Sequence, residues 1–112
     1  MAIVTKKRIG PTFSERVVKA ALAVPKGRVT TYGRIARAAG GGAMASQIIT
    51  TILGKAWMAG EKKIPFHRIV YADGRIWTSP EYHKERMRLY KNESIEVENN
   101  KIKNFIDIVF DF

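Results

Sequence analysis

Apolar positions recur at helical spacing in the first part of the chain. Thr12 and Glu15 have the spacing of a capping box, in which each side chain bonds to the other residue's backbone N–H. The buried face predicted by the repeat comprises Phe13, Val17, Ala20, Ala21 and Val24. The pattern therefore predicts a helix that is capped by Thr12 and stopped by Pro25-Lys26-Gly27.

Two further helices are predicted on either side of a glycine turn. Thr31 is a suitable cap for a helix from Tyr32 to Ala39, and Gly40-Gly41-Gly42 ends it. The next helix is predicted from Met44 to Trp57. Its apolar stripe consists of Ile48, Ile49, Ile52 and Leu53, and its opposite face of Ser46, Gln47, Thr50, Thr51 and Gly54. A short helix pair with one small polar face indicates a helix-turn-helix.

The remaining chain carries turn signals between short apolar segments. Asp73-Gly74 lies between the segments 69–71 and 75–77 and predicts a hairpin. A helix is predicted from Glu81 to Asn92, followed by a second hairpin around Asn99-Asn100. The apolar C-terminal residues are expected to pack on the domain: Ile106, Ile108, Val109, Phe110 and Phe112.

Composition excludes several kinds of chemistry. The 112 residues include no cysteine, which excludes disulfides, thiolate-bound zinc and thiol catalysis within this sequence. Two histidines well apart in sequence do not predict a metal site, and we expect no cofactor. We find no signal peptide and no apolar run of the roughly 18 residues that a membrane span needs. A cytoplasmic protein is expected, associated with the nucleoid if prokaryotic, and no membrane partner.

The charge is positive and unevenly distributed. The formal net charge is +10; residues 1–92 contain 18 Lys and Arg against 5 Asp and Glu, whereas residues 93–112 contain 2 against 5. A basic body favours a polyanionic partner, most simply nucleic acid. We predict a mainly α, winged helix-turn-helix DNA-binding domain with small β-hairpins at residues 12–112, after a basic N-terminal arm at residues 1–11.

The segment from Ile64 to Val70 places a proline, an aromatic ring, a histidine and a cation side by side. Pro65 fixes the backbone and so directs the ring of Phe66. His67 can donate or accept a hydrogen bond, and Arg68 is a permanent cation. These residues alone fit a buried turn before a strand as well as a functional turn.

This segment resembles the motif Pro-Cys-His-Arg-Val of the O6-alkylguanine-DNA alkyltransferases, whose cysteine accepts the alkyl group. Phe66 stands at the cysteine position. A tryptophan there marks the alkyltransferase-like proteins, which bind the lesion without repairing it, and Phe66 is another large aromatic residue. Val24 to Gly33 resembles the family segment that leads into the DNA-binding helices and ends in Thr-Tyr-Gly. The resemblance covers roughly residues 13–95, with both motifs in the family's order.

The resemblance implies non-enzymatic recognition of O6-alkylguanine in double-stranded DNA by nucleotide flipping, as a mark for nucleotide excision repair proteins. It implies a monomer with no catalytic residue and no metal. The DNA-binding residues that it implies are Tyr32, Gly33, Ser46, Gln47, Thr50 and Thr51. The implied lesion-pocket residues are Tyr32, Pro65, Phe66, His67, Arg68, Ile69 and Ser79.

Individual roles follow from the same resemblance. Tyr32 corresponds to the tyrosine that presses on the 3′ phosphate, and Phe66 to the pocket floor. The peptide carbonyls of Phe66 and Ile69 are expected to face the guanine edge, while Arg68 braces the turn. Glu93 corresponds to the glutamate that orients the motif histidine, although a solvent-exposed carboxylate at a helix end is an alternative.

The sequence departs from the family at two further positions. The recognition-helix arginine, which fills the gap left by the flipped nucleotide, corresponds to Ser46, and Gln47 follows it. The bracing asparagine before the cysteine is missing between Lys55 and Ile64. Two alternatives stay open: a winged-helix DNA-binding protein or regulator without lesion specificity, and an enzyme of another type. The enzyme would need a nucleophile or metal beside His67 and Glu93.

Overall fold

The first helix follows directly from its capping signal. The computed structural model describes residues 12–42 and 44–112, so the predicted basic arm at residues 1–11 lies outside the described residues. Helix α1 spans Phe13–Ala23. The Thr12 hydroxyl accepts a hydrogen bond from the Glu15 N–H at 3.1 Å, and the Glu15 carboxylate accepts one from the Thr12 N–H at 2.7 Å. The predicted capping box is confirmed.

The helix pair is confirmed with one change at the start of its second member. Helix α2 spans Tyr32–Ala38, and the Thr31 hydroxyl caps it by accepting the Arg34 N–H. The chain then forms a 3-10 turn at Ala45–Ile48 before helix α3 at Ile49–Met58. Ile48 was predicted to be buried, and this is wrong: it is 48% exposed, because the tighter turn rotates it away from the stripe of Ile49 and Leu53.

A two-stranded parallel sheet joins the segment just before α2 to the segment just after the Phe66–Arg68 turn. Strand β1 at Thr30–Thr31 pairs with strand β2 at Ile69–Val70, in the register Thr30 to Ile69 and Thr31 to Val70. The predicted hairpin across Asp73-Gly74 is therefore wrong as a pair of strands. Its turn does form, with the Tyr71 N–H donating to the Arg75 carbonyl, but β2 takes β1 as its partner.

The C-terminal part begins with helix α4 at His83–Asn92, two residues later than predicted. Strands β3 at Val97–Glu98 and β4 at Lys101–Ile102 form the predicted antiparallel hairpin. Its turn residues Asn99 and Asn100 have φ of 53° and 59°, the backbone that a two-residue hairpin turn requires. Helix α5 at Phe105–Ile108 was not predicted.

The C-terminal segment packs only in part. The Val29 N–H donates to the Ile108 carbonyl, and the Phe110 N–H donates to the Val29 carbonyl, so the chain end lies beside the residue preceding β1. Ile106 is 85% exposed, however, and Phe112 is also exposed. The prediction of a wholly packed apolar end is wrong for these two residues.

Two apolar clusters meet at the parallel strands. The larger cluster lies between helices α1, α2 and α3 and includes Ile64 and Ile69. The smaller cluster packs Tyr90 of α4 against Val29 and Val70 and the C-terminal hairpin. Because Ile69 belongs to one cluster and Val70 to the other, β2 fixes the segment just before it, residues 64–68, between both clusters. No helix within the described ranges is long and apolar enough to cross a membrane.

The glycine turn between α2 and α3 provides a test of the helix packing. A Cβ placed on Gly41 would lie 2.6 Å from Cβ of Ala45 and 2.9 Å from the Phe13 ring, whereas one on Gly42 would meet nothing within 4 Å. We predict that Gly41→Ala lowers the free energy of unfolding by about 1–3 kcal/mol, since it overfills a packed contact. Gly42→Ala is the matched control and should change it by less than about 0.5 kcal/mol. Urea unfolding measures both; equal effects would contradict the packing described.

Candidate functional site

The turn before β2 is built by short-range hydrogen bonds around Pro65. With φ −86° and ψ 74°, Pro65 is the centre of an inverse γ-turn in which the Phe66 N–H donates to the Ile64 carbonyl. Phe66–Arg68 then form a 3-10 turn. Pro65 and His67 are buried and Phe66 is half-buried, so the turn holds its histidine inside and its aromatic ring at a surface.

A buried carboxylate joins this turn to two other segments. One Glu93 oxygen accepts hydrogen bonds from the Gly27 N–H and from Arg68 Nε, both at 3.0 Å. The other oxygen lies 2.7 Å from His67 Nε2 and 2.7 Å from Arg68 Nη2. Arg68 also donates to the Val24 carbonyl at 3.0 Å. The end of α1, the turn and the end of α4 are thus tied together at one carboxylate.

The pKa values of this cluster follow from burial and its hydrogen bonds. Burial alone would raise the pKa of Glu93, but hydrogen bonds from Arg68, Gly27 and His67 outweigh it and lower that pKa to about 2. Burial lowers the pKa of His67, and contact with the Glu93 carboxylate opposes this only in part. At neutral pH the cluster is therefore a carboxylate, a guanidinium and a neutral imidazole that donates from Nε2.

A cavity of about 680 Å³ lies beside the first turn of α2. Tyr32 and Gly33 come from that turn, Ser46, Gln47 and Thr50 from the start of the following helical segment, and Phe66 from the turn before β2. Its lining is completed by Tyr71, Ala72, Trp77 and Arg86. This volume is within the range of pockets that hold small organic molecules, so it can receive a nucleobase.

Tyr32 is held at the edge of this cavity by an aromatic contact. Its ring centre is 5.7 Å from that of Tyr71, and Thr50 lines the cavity beside it. Burial and the nearby Tyr71 raise the pKa of the Tyr32 hydroxyl, which therefore stays protonated and can donate a hydrogen bond. The guanidinium carbon of Arg75 lies 5.2 Å from the Tyr71 ring centre, within the range of a cation–π contact.

A second cavity, of about 940 Å³, lies on the other side of Phe66. Phe66, Trp77 and Arg86 line both cavities, so they form the wall between them. Trp57 of α3 makes an edge-to-face contact with Phe66, with 5.7 Å between ring centres. Lys62 Nζ lies over the Trp57 ring, 4.6 Å from its centre. The remaining lining is largely apolar and includes Met58, Ala59 and Tyr82.

The structure brings together only part of the predicted site. Tyr32, Gly33, Ser46, Gln47, Thr50 and Phe66 all line the smaller cavity. Thr51 lines the larger one. Pro65, His67, Arg68 and Ile69 lie behind Phe66 as its support, and Ser79 lines neither cavity; its carbonyl accepts the N–H groups of Tyr82 and His83. Binding roles for all these residues stay predictions.

Ten lining residues were missed by sequence reasoning, among them Trp57, Tyr71, Trp77 and Arg86. Trp57 continues the helical spacing of Ile49 and Leu53, so the pattern alone predicts a core residue there and gives no sign of a site. No local pattern distinguishes Arg86 from the other cations of α4. Within residues 12–42 and 44–112 no group of histidine and acidic side chains could hold a metal ion.

Fold and site together define a helix-turn-helix DNA-binding domain with a cavity beside its recognition face. The chain belongs to the family described as "6-O-methylguanine DNA methyltransferase, DNA binding domain", which residues 12–95 match. The resemblance inferred from the sequence is confirmed.

Curated relatives and solved structures agree with this family. The chain is 35% identical over 79 residues to the DNA base-flipping protein of Escherichia coli K12. These 79 residues are 70% of this chain and 59% of that protein. The chain therefore spans about three-fifths of the length of the curated relatives it matches. The same figures hold for the protein of that name in Shigella flexneri.

Among solved structures, S. pombe Atl1 bound to damaged DNA containing O6-carboxymethylguanine has a TM-score of 0.71 at 24% identity, a likeness of fold. It covers 89% of this chain and 95% of that one. An M. tuberculosis O6-methylguanine methyltransferase has a TM-score of 0.57 at 26% identity. The match covers 76% of this chain and 50% of that one. The predicted fold class is confirmed.

The Glu93 cluster predicts how stability depends on pH. The pKa of Glu93 is about 2 in the folded chain against 4.5 for an unperturbed glutamate, so the unfolded state binds the proton more tightly and acid favours unfolding. This contribution of about 3 kcal/mol is complete above about pH 5 and is lost as the pH falls towards 2. We predict that Glu93→Gln removes it, so urea unfolding of this variant depends much less on pH in that range.

Glu96→Gln is the control for the loss of one negative charge, because the side chain of Glu96 is exposed. That variant should keep the acid dependence of the unsubstituted chain. Parallel curves of unfolding free energy against pH for the Glu93→Gln variant and the unsubstituted chain would show that Glu93 does not hold the turn through its charge.

Proposed function

We propose that this chain binds double-stranded DNA, extrudes an O6-alkylated guanine into the cavity beside Tyr32 and Phe66, and holds it without transferring the alkyl group. The observation that carries the proposal is one cavity shared by Tyr32, by the polar face of the helix-turn-helix and by Phe66. The names of the curated relatives and the DNA-bound Atl1 structures support the same function.

The surface around the cavity suits a DNA duplex. Ser46, Gln47 and Thr50 are short or uncharged polar side chains in the 3-10 turn Ala45–Ile48 and the start of α3. Such side chains let a helix approach base edges closely. The net charge of +10 supplies phosphate attraction that does not depend on sequence. A base inside a duplex cannot be inspected at its O6 atom without being rotated out, so the cavity is useful only if the nucleotide is extruded.

Tyr32 is suited to act at the moment of extrusion. Its ring is stiff, its hydroxyl is protonated, and its contact with the Tyr71 ring holds it at the edge of the cavity. The extruded base would then lie against Phe66. The Phe66 carbonyl accepts the Ile69 N–H, so a hydrogen bond to the guanine edge would use its second lone pair.

The chain offers no group to accept the alkyl substituent. Phe66 stands where the family's acceptor cysteine would be, and the sequence contains no cysteine. His67 keeps its bond to Glu93, but this pair now serves to hold the turn. Binding in place of repair is therefore the proposed activity, with a monomer as the binding form.

The family resemblance also implies that the bound lesion is handed to nucleotide excision repair proteins. An excision assay with purified repair proteins tests this part, since the chain should raise the rate of incision beside O6-methylguanine. An unchanged rate would separate lesion binding from that pathway.

The main test compares 20-base-pair duplexes that carry guanine or O6-methylguanine at one central position. We predict at least about tenfold tighter binding of the lesion duplex in fluorescence anisotropy, equal to about 1.4 kcal/mol. After incubation the DNA should still contain the lesion, and mass spectrometry should find the protein mass unchanged.

Equal affinities would favour a helix-turn-helix regulator without lesion specificity, the alternative that the absence of the family arginine at Ser46 supports. A protein adduct of one methyl group would contradict the non-enzymatic assignment.

Ser46 tests how the gap in the base stack is filled. It is half-buried at the cavity beside Gln47, and its side chain cannot reach into a duplex. We predict that Ser46→Arg tightens binding to O6-methylguanine DNA about tenfold, because a planar cation can occupy the vacated stack and unstacking costs a few kcal/mol. Ser46→Lys is the control for charge. Equal gains from both variants would show that Ser46 is not the position of the wedge.

A further inference from the structure

Arg86 is the cation that borders both cavities. It lies on α4, is half-buried, and has its guanidinium carbon 5.2 Å from the Trp77 ring centre. It lies near Tyr90, four residues further along α4, whose hydroxyl donates to the His67 carbonyl. Within the described residues it forms no ion pair, unlike Arg34, Arg68, Arg75 and Arg88. Its charge is therefore not neutralised by a neighbouring carboxylate.

The two cavity linings contain no acidic side chain that could pair with the Arg86 guanidinium. None of the residues that line either cavity is Asp or Glu. Lys55 is the other cation of the two linings, and it lies in the larger cavity on the exposed side of α3. The walls around the guanidinium are aromatic, with Phe66 and Trp77 shared by both cavities. An apolar wall lowers the local dielectric constant and strengthens any ion pair formed against it.

The position of Arg86 fits the direction in which an O6 substituent would point. This step rests on the proposed function, in which the base occupies the smaller cavity between Tyr32 and Phe66. The wall between the cavities consists of Phe66, Trp77 and Arg86, so a substituent that extends beyond the base meets these three side chains. A methylene group suits the two aromatic rings, and an anionic end suits the guanidinium.

We propose that Arg86 makes this chain select O6-alkylguanines whose substituent ends in a carboxylate. A guanidinium can bind a carboxylate through two parallel N–H donors, which neither an amide nor a methyl group can match. The contact with the Trp77 ring, whose centre lies 5.2 Å from the guanidinium carbon, restricts the Arg86 side chain before the ligand arrives, which reduces the ordering cost of binding. The structure of Atl1 with O6-carboxymethylguanine shows that such a lesion can be bound within this fold.

The experiment uses four duplexes that differ at one position: guanine, O6-methylguanine, O6-carboxymethylguanine and O6-carbamoylmethylguanine. The carbamoylmethyl group has nearly the shape of carboxymethyl without its charge. We expect the unsubstituted chain to bind the carboxymethyl duplex about tenfold more tightly than the carbamoylmethyl duplex. Arg86→Gln should abolish that ratio, and Arg86→Lys should keep part of it.

Arg88→Gln is the matched control, because Arg88 lies on the same helix, is exposed, and pairs with Glu85 at 2.8 Å outside both cavities. It removes the same charge and should leave the carboxymethyl-to-carbamoylmethyl ratio unchanged. Thermal unfolding of each variant separates loss of fold from loss of selectivity, and the Arg86→Lys variant keeps the charge if Arg86→Gln does not fold.

Two results would overturn the inference. One is equal binding of the carboxymethyl and carbamoylmethyl duplexes by the unsubstituted chain; the other is an unchanged ratio in a folded Arg86→Gln variant. If the three lesions bind equally and all more tightly than guanine, Arg86 selectivity fails while lesion recognition stands. If none binds more tightly than guanine, the proposed function itself fails.

Discussion

The geometry of the site depends on the buried carboxylate of Glu93. Its two oxygens accept hydrogen bonds from Gly27, Arg68 and His67, three residues that come from the end of α1 and from the turn before β2. Glu93 itself ends α4, so a single side chain holds three parts of the chain at fixed distances. Removing one partner of such a buried pair leaves a charge without compensation, which typically costs about 3–5 kcal/mol. The hydrogen bonds of Glu93 with His67 and Arg68 therefore hold in place the turn that carries Phe66.

The same contacts fix the positions of the residues that line the smaller cavity. His67 and Glu93 correspond to the histidine and the glutamate of the family motif, and His67 Nε2 lies 2.7 Å from a Glu93 oxygen. The parallel pairing of β1 with β2 fixes Tyr32 and Phe66 relative to each other, because Tyr32 follows β1 directly and Phe66 lies three positions before the start of β2. The cavity with Phe66 in its lining is large enough for a nucleobase, and the sequence contains no cysteine.

Local signals in the sequence predicted most of the helices, but they did not predict the pairing of strands that lie far apart in the chain. The capping box at Thr12, the cap at Thr31 and the hairpin at Asn99-Asn100 act within a few residues and were read correctly. The Asp73-Gly74 signal predicted a turn but could not reveal that β2 pairs with β1, some forty residues earlier in the chain. The motif around Phe66 led to the turn and to the contact of Glu93 with His67. Trp77 and Arg86 join the site only through the placement of α4 and the segment before it, which no local pattern determines.

The most direct measurement of nucleotide extrusion is the fluorescence of a cytosine analogue placed opposite O6-methylguanine. Such an analogue is quenched while stacked and paired, and it becomes brighter when the opposing nucleotide leaves the helix. Addition of the chain should raise the fluorescence of the lesion duplex and leave a guanine duplex nearly unchanged. Tyr32→Ala, at concentrations where the DNA is fully bound, should reduce the rise. Saturated binding of the lesion duplex with no rise in fluorescence would contradict extrusion into the cavity between Tyr32 and Phe66.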